Sequence, residues 1–236
     1  MCVPMRLSLS YADSCSMGKH RLRKRRLRIW KADYLTCKYL WPNIERMIGL
    51  AKDAASVPCP LVLDVGCGHK PYRECFGDVC YLGMDFTTDD SSPDFLGNAC
   101  MIPICTGAVD IVLCTQVIEH VPEPEEMLRE FHRVLRPGGS LILTGPMYWP
   151  LHEEPYDFYR FTKYGFMHLL KKSGFGRWEI LEDGGDWAQI LLAVNLRLEG
   201  RLAAPLRCAI NVAGVVLNML STSKVSPANY TIWARR

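Results

Sequence analysis

The run VLDVGCGHKPY, Val62 to Tyr72, constrains this chain more than any other: an apolar strand carries one acid, Asp64, and feeds directly into a glycine turn. Gly66 and Gly68 lack a Cβ and reach positive φ freely, so the backbone can turn sharply and approach a ligand at contact distance. Seventeen residues after Gly68, Asp85 closes a second apolar run, YLGMD. That spacing fits a strand, crossover, strand unit in which the second acid accepts hydrogen bonds from both ribose hydroxyls of a nucleoside. The turn is therefore expected to hold a nucleoside cofactor. A nicotinamide dinucleotide fits less well, because its fingerprint wants a third glycine where the helix packs on the strand, and this chain has Pro71 there.

Further on, Asp110 to Pro146 reads as strand, helix, Pro-Gly-Gly turn and strand. The glycine turn, the acid ending the second strand, the segment Glu119 to Val121 and the run RVLRPGG, Arg133 to Gly139, stand together in one order and spacing. With these motifs the chain resembles the class I S-adenosylmethionine-dependent methyltransferases, the type 11 group in particular, over roughly residues 60 to 183 and the last strand. The resemblance implies an α/β fold: a Rossmann-like seven-stranded sheet with helices on both faces and an antiparallel last strand. A second block, LHEEPYDFYRFTKYGF from Leu151 to Phe166, is similar to members from bacterial polysaccharide and cell-envelope gene clusters.

S-adenosyl-L-methionine, the cofactor so implied, has a zwitterionic tail, a sulfonium, a ribose diol and an adenine edge. The backbone of Gly66, Cys67 and Gly68 is expected to meet the tail and ribose, with Asp64 ordering the ammonium directly or through water. Asp85 is expected to take the ribose hydroxyls. Where the family often carries an acid reading the adenine amino group, this chain has Asn98 followed by Ala99, and an amide can still accept that bond. Phe86 and Ile102 are expected to pack on adenine, and Gln116 and Val117 to line the sulfonium end.

Methyl transfer is an in-line displacement, so positioning supplies much of the rate and the acceptor needs as little as one base. The candidates are His120, after the fourth strand, and the block after the fifth, where His152, Glu153, Glu154, Tyr156, Asp157, Tyr159 and Arg160 crowd together. Of these, His152, Asp157, His120, Tyr159 and Arg160 are taken as the catalytic set. A histidine removes a proton near neutral pH, and Arg160 is expected either to clamp a phosphate or carboxylate of the acceptor or to pair with Asp157. No metal-ligand set is read from the sequence. Family members that methylate base amines often place an acid or asparagine, Pro-Pro and an aromatic after the fourth strand. The segment CTQVIEH stands there instead, which favours an oxygen acceptor on a sugar, lipid-linked glycan or small metabolite over nucleic acid.

An apolar content of 49% over 236 residues suffices for one α/β core and leaves no room for a second catalytic domain. The eleven cysteines are odd in number and hold no CxxC pair, which suggests a reduced, cytoplasmic setting. The first residues lack the continuous apolar core of a signal peptide. Lys19 to Lys31 then carries eight Lys or Arg and no acid; without it, 20 cations face 25 acids, so the basicity is local. Residues 1–32 read as a basic, flexible extension and 33–236 as the methyltransferase domain, with an apolar helical insertion at about 187–224. On a helix over Ala204 to Leu220, Arg207, Asn211 and Asn218 share a narrow arc and every other side is apolar. Such a helix covers a sheet, forms a dimer contact, enters a membrane interface, where the basic run would supply the second signal for an anionic surface, or spans a membrane, which its short apolar stretch, Arg207 and two asparagines disfavour. RNA methylation through the basic run, or cofactor binding without catalysis, are the rival readings; the oligomeric state is not readable.

Finer structure follows from periodicity. A leading helix is expected over Tyr34 to Ala54, interrupted near Trp41-Pro42, with later strands near Tyr81 to Met84, Phe95 to Ala99, Ile111 to Cys114, Ser140 to Thr144, Trp178 to Leu181 and Asn229 to Ala234. A helix over Glu123 to Leu135 turns Met127, Leu128, Phe131, Val134 and Leu135 inward. Thr162 is expected to cap a helix through Leu170, and Gly174 to end it.

Overall fold

The computed structural model describes residues 27–89, 91–221 and 223–236. Most of the basic run, from residue 19 to 26, therefore lies outside the described residues. The elements in chain order are α1 (Tyr34–Ala54), β1 (Leu61–Val65), α2 (Arg73–Phe76), β2 (Cys80–Asp85), β3 (Phe95–Leu96), β4 (Val109–Thr115), a 3-10 turn (Ile118–His120), α3 (Pro124–Val134), β5 (Leu135–Pro146), α4 (Lys163–Lys172), β6 (Arg177–Asp183), α5 (Asp186–Arg197), α6 (Ala204–Leu220) and β7 (Asn229–Arg235). The strands form one sheet in the order β3-β2-β1-β4-β5-β7-β6. Only β7 runs against its neighbours, antiparallel to both β5 and β6.

Strand periodicity of two sorts side chains to opposite faces. Leu63, Val65, Val112, Cys114, Leu141 and Leu143 join Met127, Leu128 and Phe131 of α3 and Phe166 and Leu170 of α4 in one core. Val62, Ile111, Leu113, Ile142 and Trp233 join Leu40, Ile44, Met47 and Ile48 of α1 in the other. Because β1, β4 and β5 are covered on both faces, they read as apolar runs and not as alternating ones. Thr162 caps α4, accepting from the Gly165 amide at 3.0 Å, and Gly174 follows its end at φ 95°.

Three local expectations need correction. Helix α1 passes through Pro42 without a break. The missing N–H and the ring clash cost about 3 kcal/mol, yet Leu40, Ile44, Met47 and Ile48 are each at most 3% exposed, and burying each contributes about 1.5–3 kcal/mol. Packing wins. Strand β3 stops at Leu96 instead of reaching Ala99: Asn98 Oδ1 accepts from the Cys100 amide at 2.8 Å and turns the chain out of the sheet.

The third correction concerns the insertion, which is a helix pair, α5 and α6. The polar arc of α6 faces inward. Asn211 is fully buried, accepts from Asn195 Nδ2 at 2.8 Å and donates to the carbonyls of Ile29 and Lys31 at 2.6 and 3.0 Å. Arg207 donates to the Trp30 carbonyl, and Asn218 accepts from the Gly185 amide. A backbone segment whose carbonyls must be satisfied draws the polar stripe onto itself, leaving part of the apolar side to solvent. No helix among the described residues is long and apolar enough to cross a membrane.

Candidate cofactor and acceptor site

Strand order reverses between β1 and β4, and in such sheets the crevice at the carboxyl ends of those strands is where ligands bind. Three non-glycine residues with positive φ follow β1, β4 and β5: Lys70 at 55°, Gln116 at 54° and Glu153 at 58°. Strain of this kind gathers at functional edges.

Gly66 (φ 70°) sits so close to Val117 that a Cβ there would lie 2.3 Å from Val117 Cγ2. Only glycine brings the β1 and β4 loops together in this way. The amides of Gly66 and Cys67 both donate to the Met84 carbonyl, at 2.9 and 3.1 Å, while the Gly68 amide donates to Asp85 Oδ2 at 2.9 Å. The Phe86 amide takes the other oxygen, Asp85 Oδ1, at 2.8 Å. The glycine turn and the acid closing β2 therefore share one mouth, as the spacing implies. Burial raises the Asp85 pKa in spite of these amides.

Asp64 points to the α1 face, 1% exposed, and accepts from Tyr81 Oη at 2.5 Å. Burial, and then the charge of Asp85, push its carboxyl up to about 7 against that hydrogen bond. Cys67 is buried, and its thiol is pushed far up, first by burial and then by Asp64 and Asp85, so it is no nucleophile. No disulfide joins the described cysteines. Lys70, which sequence reasoning passed over, crosses Gly83 to meet Asp94 Oδ1 at 2.8 Å and closes the outer rim.

Arg133 of the RVLRPGG run has a legible purpose. It donates to the carbonyls of Ile102 and Ile104, both at 2.9 Å, and forks onto Glu130, whose Oε2 accepts from the Ile102 amide. This pins the loop that carries Asn98 and Ala99, both half-buried, beside Ile102, which is 3% exposed. Phe86 is half-buried too. Gln116 is half-buried and engaged: its Nε2 donates to Thr144 Oγ1 at 2.7 Å and Asn229 Oδ1 at 2.9 Å, tying β4 to β5 and β7. Its neighbour Val117 is the residue that packs on the glycine turn.

The expected catalytic residues do gather, but their roles divide. All five N–H groups of Arg160 are taken: Asp157 Oδ1 and Oδ2 at 2.6 and 2.7 Å, and the carbonyls of Trp149, Tyr159 and Pro150 at 3.1, 2.7 and 3.1 Å. No donor is left to clamp an acceptor, so of the two expectations for Arg160 the pairing with Asp157 is the one realised. Burial opposes ionisation of Asp157, but the Arg160 fork, the His152 amide and the Arg160 charge outweigh it and hold the carboxyl at about 2. A carboxylate of that strength does not serve as a general base near neutral pH. Tyr159 spends its hydroxyl proton on the Pro122 carbonyl at 2.9 Å.

His120 and His152 meet edge to face, with ring centroids 4.7 Å apart. His120 Nδ1 contacts the Tyr156 carbonyl at 2.9 Å, and His152 Nδ1 lies 3.2 Å from the Pro150 carbonyl and 3.3 Å from Asp157 Oδ2. Burial lowers the His120 pKa, keeping the ring neutral. Beside them Glu119, absent from the expected set, is fully buried with both carboxylate oxygens unpartnered among the described residues, and burial pushes it up to about 8. An acid adjoining His120 in the loop after β4 was the available signal.

S-adenosylmethionine fits the mouth on chemical grounds. Asp64 and Asp85 are desolvated acids, and the nearest lysine, Lys70, is engaged by Asp94. A ligand carrying an ammonium, a sulfonium and two hydroxyl donors answers that charge. A pyrophosphate does not, because α2, with only four residues, offers little helix dipole to hold one.

Comparison with known proteins agrees. Residues 63–143 match the methyltransferase domain family. An uncharacterized methyltransferase of Mycobacterium bovis is 34% identical over 96 residues, 35% of this chain and 38% of that protein. A ubiquinone biosynthesis O-methyltransferase of Xanthomonas oryzae is 31% identical over 102 residues, 35% of this chain and 41% of that protein. The chain thus spans about two fifths of the length of these relatives. A solved S-adenosylmethionine-dependent methyltransferase from Archaeoglobus fulgidus shares the fold at TM-score 0.55 and 16% identity, over 85% of this chain and 97% of that one. Residues 63–143 are therefore a match to the methyltransferase domain, set in a complete seven-stranded sheet of that fold, and the cofactor its mouth fits is S-adenosyl-L-methionine.

Proposed function

We propose that the protein is an S-adenosylmethionine-dependent methyltransferase acting on an acceptor oxygen. The observation that carries the reading is the Gly68 amide on Asp85 beside the Gly66 and Val117 contact: a glycine turn and a desolvated acid at the switch point of a methyltransferase sheet. The cofactor supplies an electrophilic methyl on a positively charged sulfur. The chain's own part is to bind it with Asp85 and Asp64, to bring the β4 loop against it through Val117, and to hold the acceptor hydroxyl near His120 and His152. Each Nδ1 faces an oxygen that only accepts, so in a neutral ring Nδ1 carries the proton and Nε2 is the atom able to draw the proton from a hydroxyl. Asp157 and Arg160 are the frame behind His152. The acceptor class, a sugar, a lipid-linked glycan or a small metabolite, rests on the Leu151 to Phe166 block and on the paired histidines, which suit a hydroxyl.

Incubation with labelled methyl donor and fractionated lysate tests this reading. Label entering hydroxyl-bearing glycan, lipid or small-molecule fractions supports it; label confined to RNA or absent from every fraction refutes it. Asp85→Ala is expected to weaken cofactor binding by about 1–3 kcal/mol through the lost charge-assisted contact, measured calorimetrically. The same titration should depend on pH. In the free protein Asp64 is protonated below about 7; a cationic ligand favours its carboxylate, so binding expels a proton. Affinity should rise as pH climbs toward 7 and level off above it; a flat profile from pH 6 to 8 would take Asp64 out of the coupling.

A membrane surface is a second reading, favoured by the outward side of α6. Leu206, Val212 and Val216 are about half exposed there, and Met219 and Leu220 are 79% exposed. The full chain should float with anionic liposomes, and Val216→Asp with Met219→Asp should abolish flotation; unchanged flotation excludes α6 as the contact.

A further inference from the structure

Glu119, His120 and His152 each present a ligand atom within 4.8 Å of the other two, and the three come from loops that follow β4 and β5. Their second shell is already in place. His120 Nδ1 faces the Tyr156 carbonyl, and His152 Nδ1 faces the Pro150 carbonyl and Asp157, oxygens that only accept. In the neutral tautomer that these contacts favour, Nδ1 is the donor and Nε2 is the atom left for a ligand. His120 Nε2 stands 4.0 Å from Glu119 Oε1, too far for a hydrogen bond. The Glu119 side chain is 1% exposed, and neither of its oxygens has a partner among the described residues. Two imidazoles and a buried carboxyl group without a hydrogen-bond partner among the described residues thus stand together, an arrangement that a cation resolves.

We infer that Glu119, His120 and His152 form a binding site for a divalent first-row transition cation. Two imidazoles and one carboxylate suit zinc, cobalt or iron better than magnesium, which takes oxygen ligands. Zinc lies about 2.0–2.1 Å from each ligand, so ligand atoms sharing it stand no more than about 4.2 Å apart. The orienting partners of both imidazoles are those that histidine ligands commonly have, with the Arg160 fork fixing Asp157 in turn. Three protein ligands leave a position open for an acceptor oxygen, and with the imidazole nitrogens spent on the cation, the cation would take over from a free histidine in activating that hydroxyl. This last step rests on the O-methylation reading, and the cation site itself does not.

Titration of the full chain with Co2+, followed by its visible absorption and by Zn2+ competition, tests the inference without any turnover. One equivalent is expected, with the spectrum of nitrogen and oxygen ligands and without the intense thiolate band that the cysteines would give. Glu119→Gln, nearly isosteric and neutral, and His152→Ala are each expected to weaken binding at least about tenfold. His168→Ala, on the exposed side of α4, serves as the control and should leave it unchanged. Circular dichroism and binding of S-adenosylhomocysteine establish that each variant is folded. No uptake of Co2+, a thiolate spectrum, or full uptake in both site variants overturns the site. If Co2+ fails to bind while His152→Ala still stops methyl transfer, the cation falls and the O-methylation reading stands, with His152 taking the proton itself.

Discussion

Arg160→Ala is expected to lower the unfolding free energy by about 3 kcal/mol, the low end of the cost of stranding a buried charge, because the Arg160 side chain is itself 24% exposed. The Asp157 side chain is only 2% exposed and depends on both nitrogens of the fork, while three carbonyls of the Trp149 to Tyr159 loop lose their donor at the same time. Arg160→Lys should recover only part of the loss, since an ammonium cannot make the planar fork and reach those carbonyls together. The pH dependence has a definite sign. Asp157 is held at about 2 against about 3.9 in an unfolded chain, so its contribution is complete above pH 4 and lost as pH falls through 2. In Arg160→Ala the fork and the guanidinium charge disappear, leaving mainly the His152 amide against burial, so the Asp157 carboxyl moves up. The deficit against wild type should therefore shrink on acidification, as read by urea unfolding at pH 7 and pH 4. Equal stability at pH 7 would show the fork to be ornamental.

His152→Ala is expected to reduce kcat about 10²- to 10⁴-fold, the range for loss of a positioned general base, while cofactor affinity stays within about twofold. The split follows from the placement. His152 lies in the loop after β5 and touches His120, Pro150 and Asp157, whereas the turn at Gly66 to Gly68 is bonded to Met84 and Asp85 of β2. Calorimetry for the cofactor and initial rates with an accepted substrate measure the two quantities separately. Parallel loss of both would mean that His152 supports the fold of the mouth and takes no part at the acceptor.

What could be read from the residues follows their range of action. The Gly66 to Gly68 turn, Asp85 at the end of its strand, the Thr162 cap and the inward face of α3 are local features, each decided by φ preference, strand period or helix period over a few positions. Pro42 misled because a local penalty of known size was weighed without the packing that exceeds it.

The sequence by itself determined the doubly covered sheet, the glycine turn after β1 and the acid that closes β2 beside it, since short-range backbone chemistry and apolar periodicity suffice for these. Only the tertiary structure decided what each polar group does. Gln116 meets Asn229 across 113 positions, Asn211 meets Ile29 across 182, Arg160 is saturated by its own loop, and Glu119 has no hydrogen-bond partner among the described residues. The physical reason is that a buried polar atom is defined by whatever donors or acceptors the fold brings within about 3 Å of it, and no local pattern encodes that meeting.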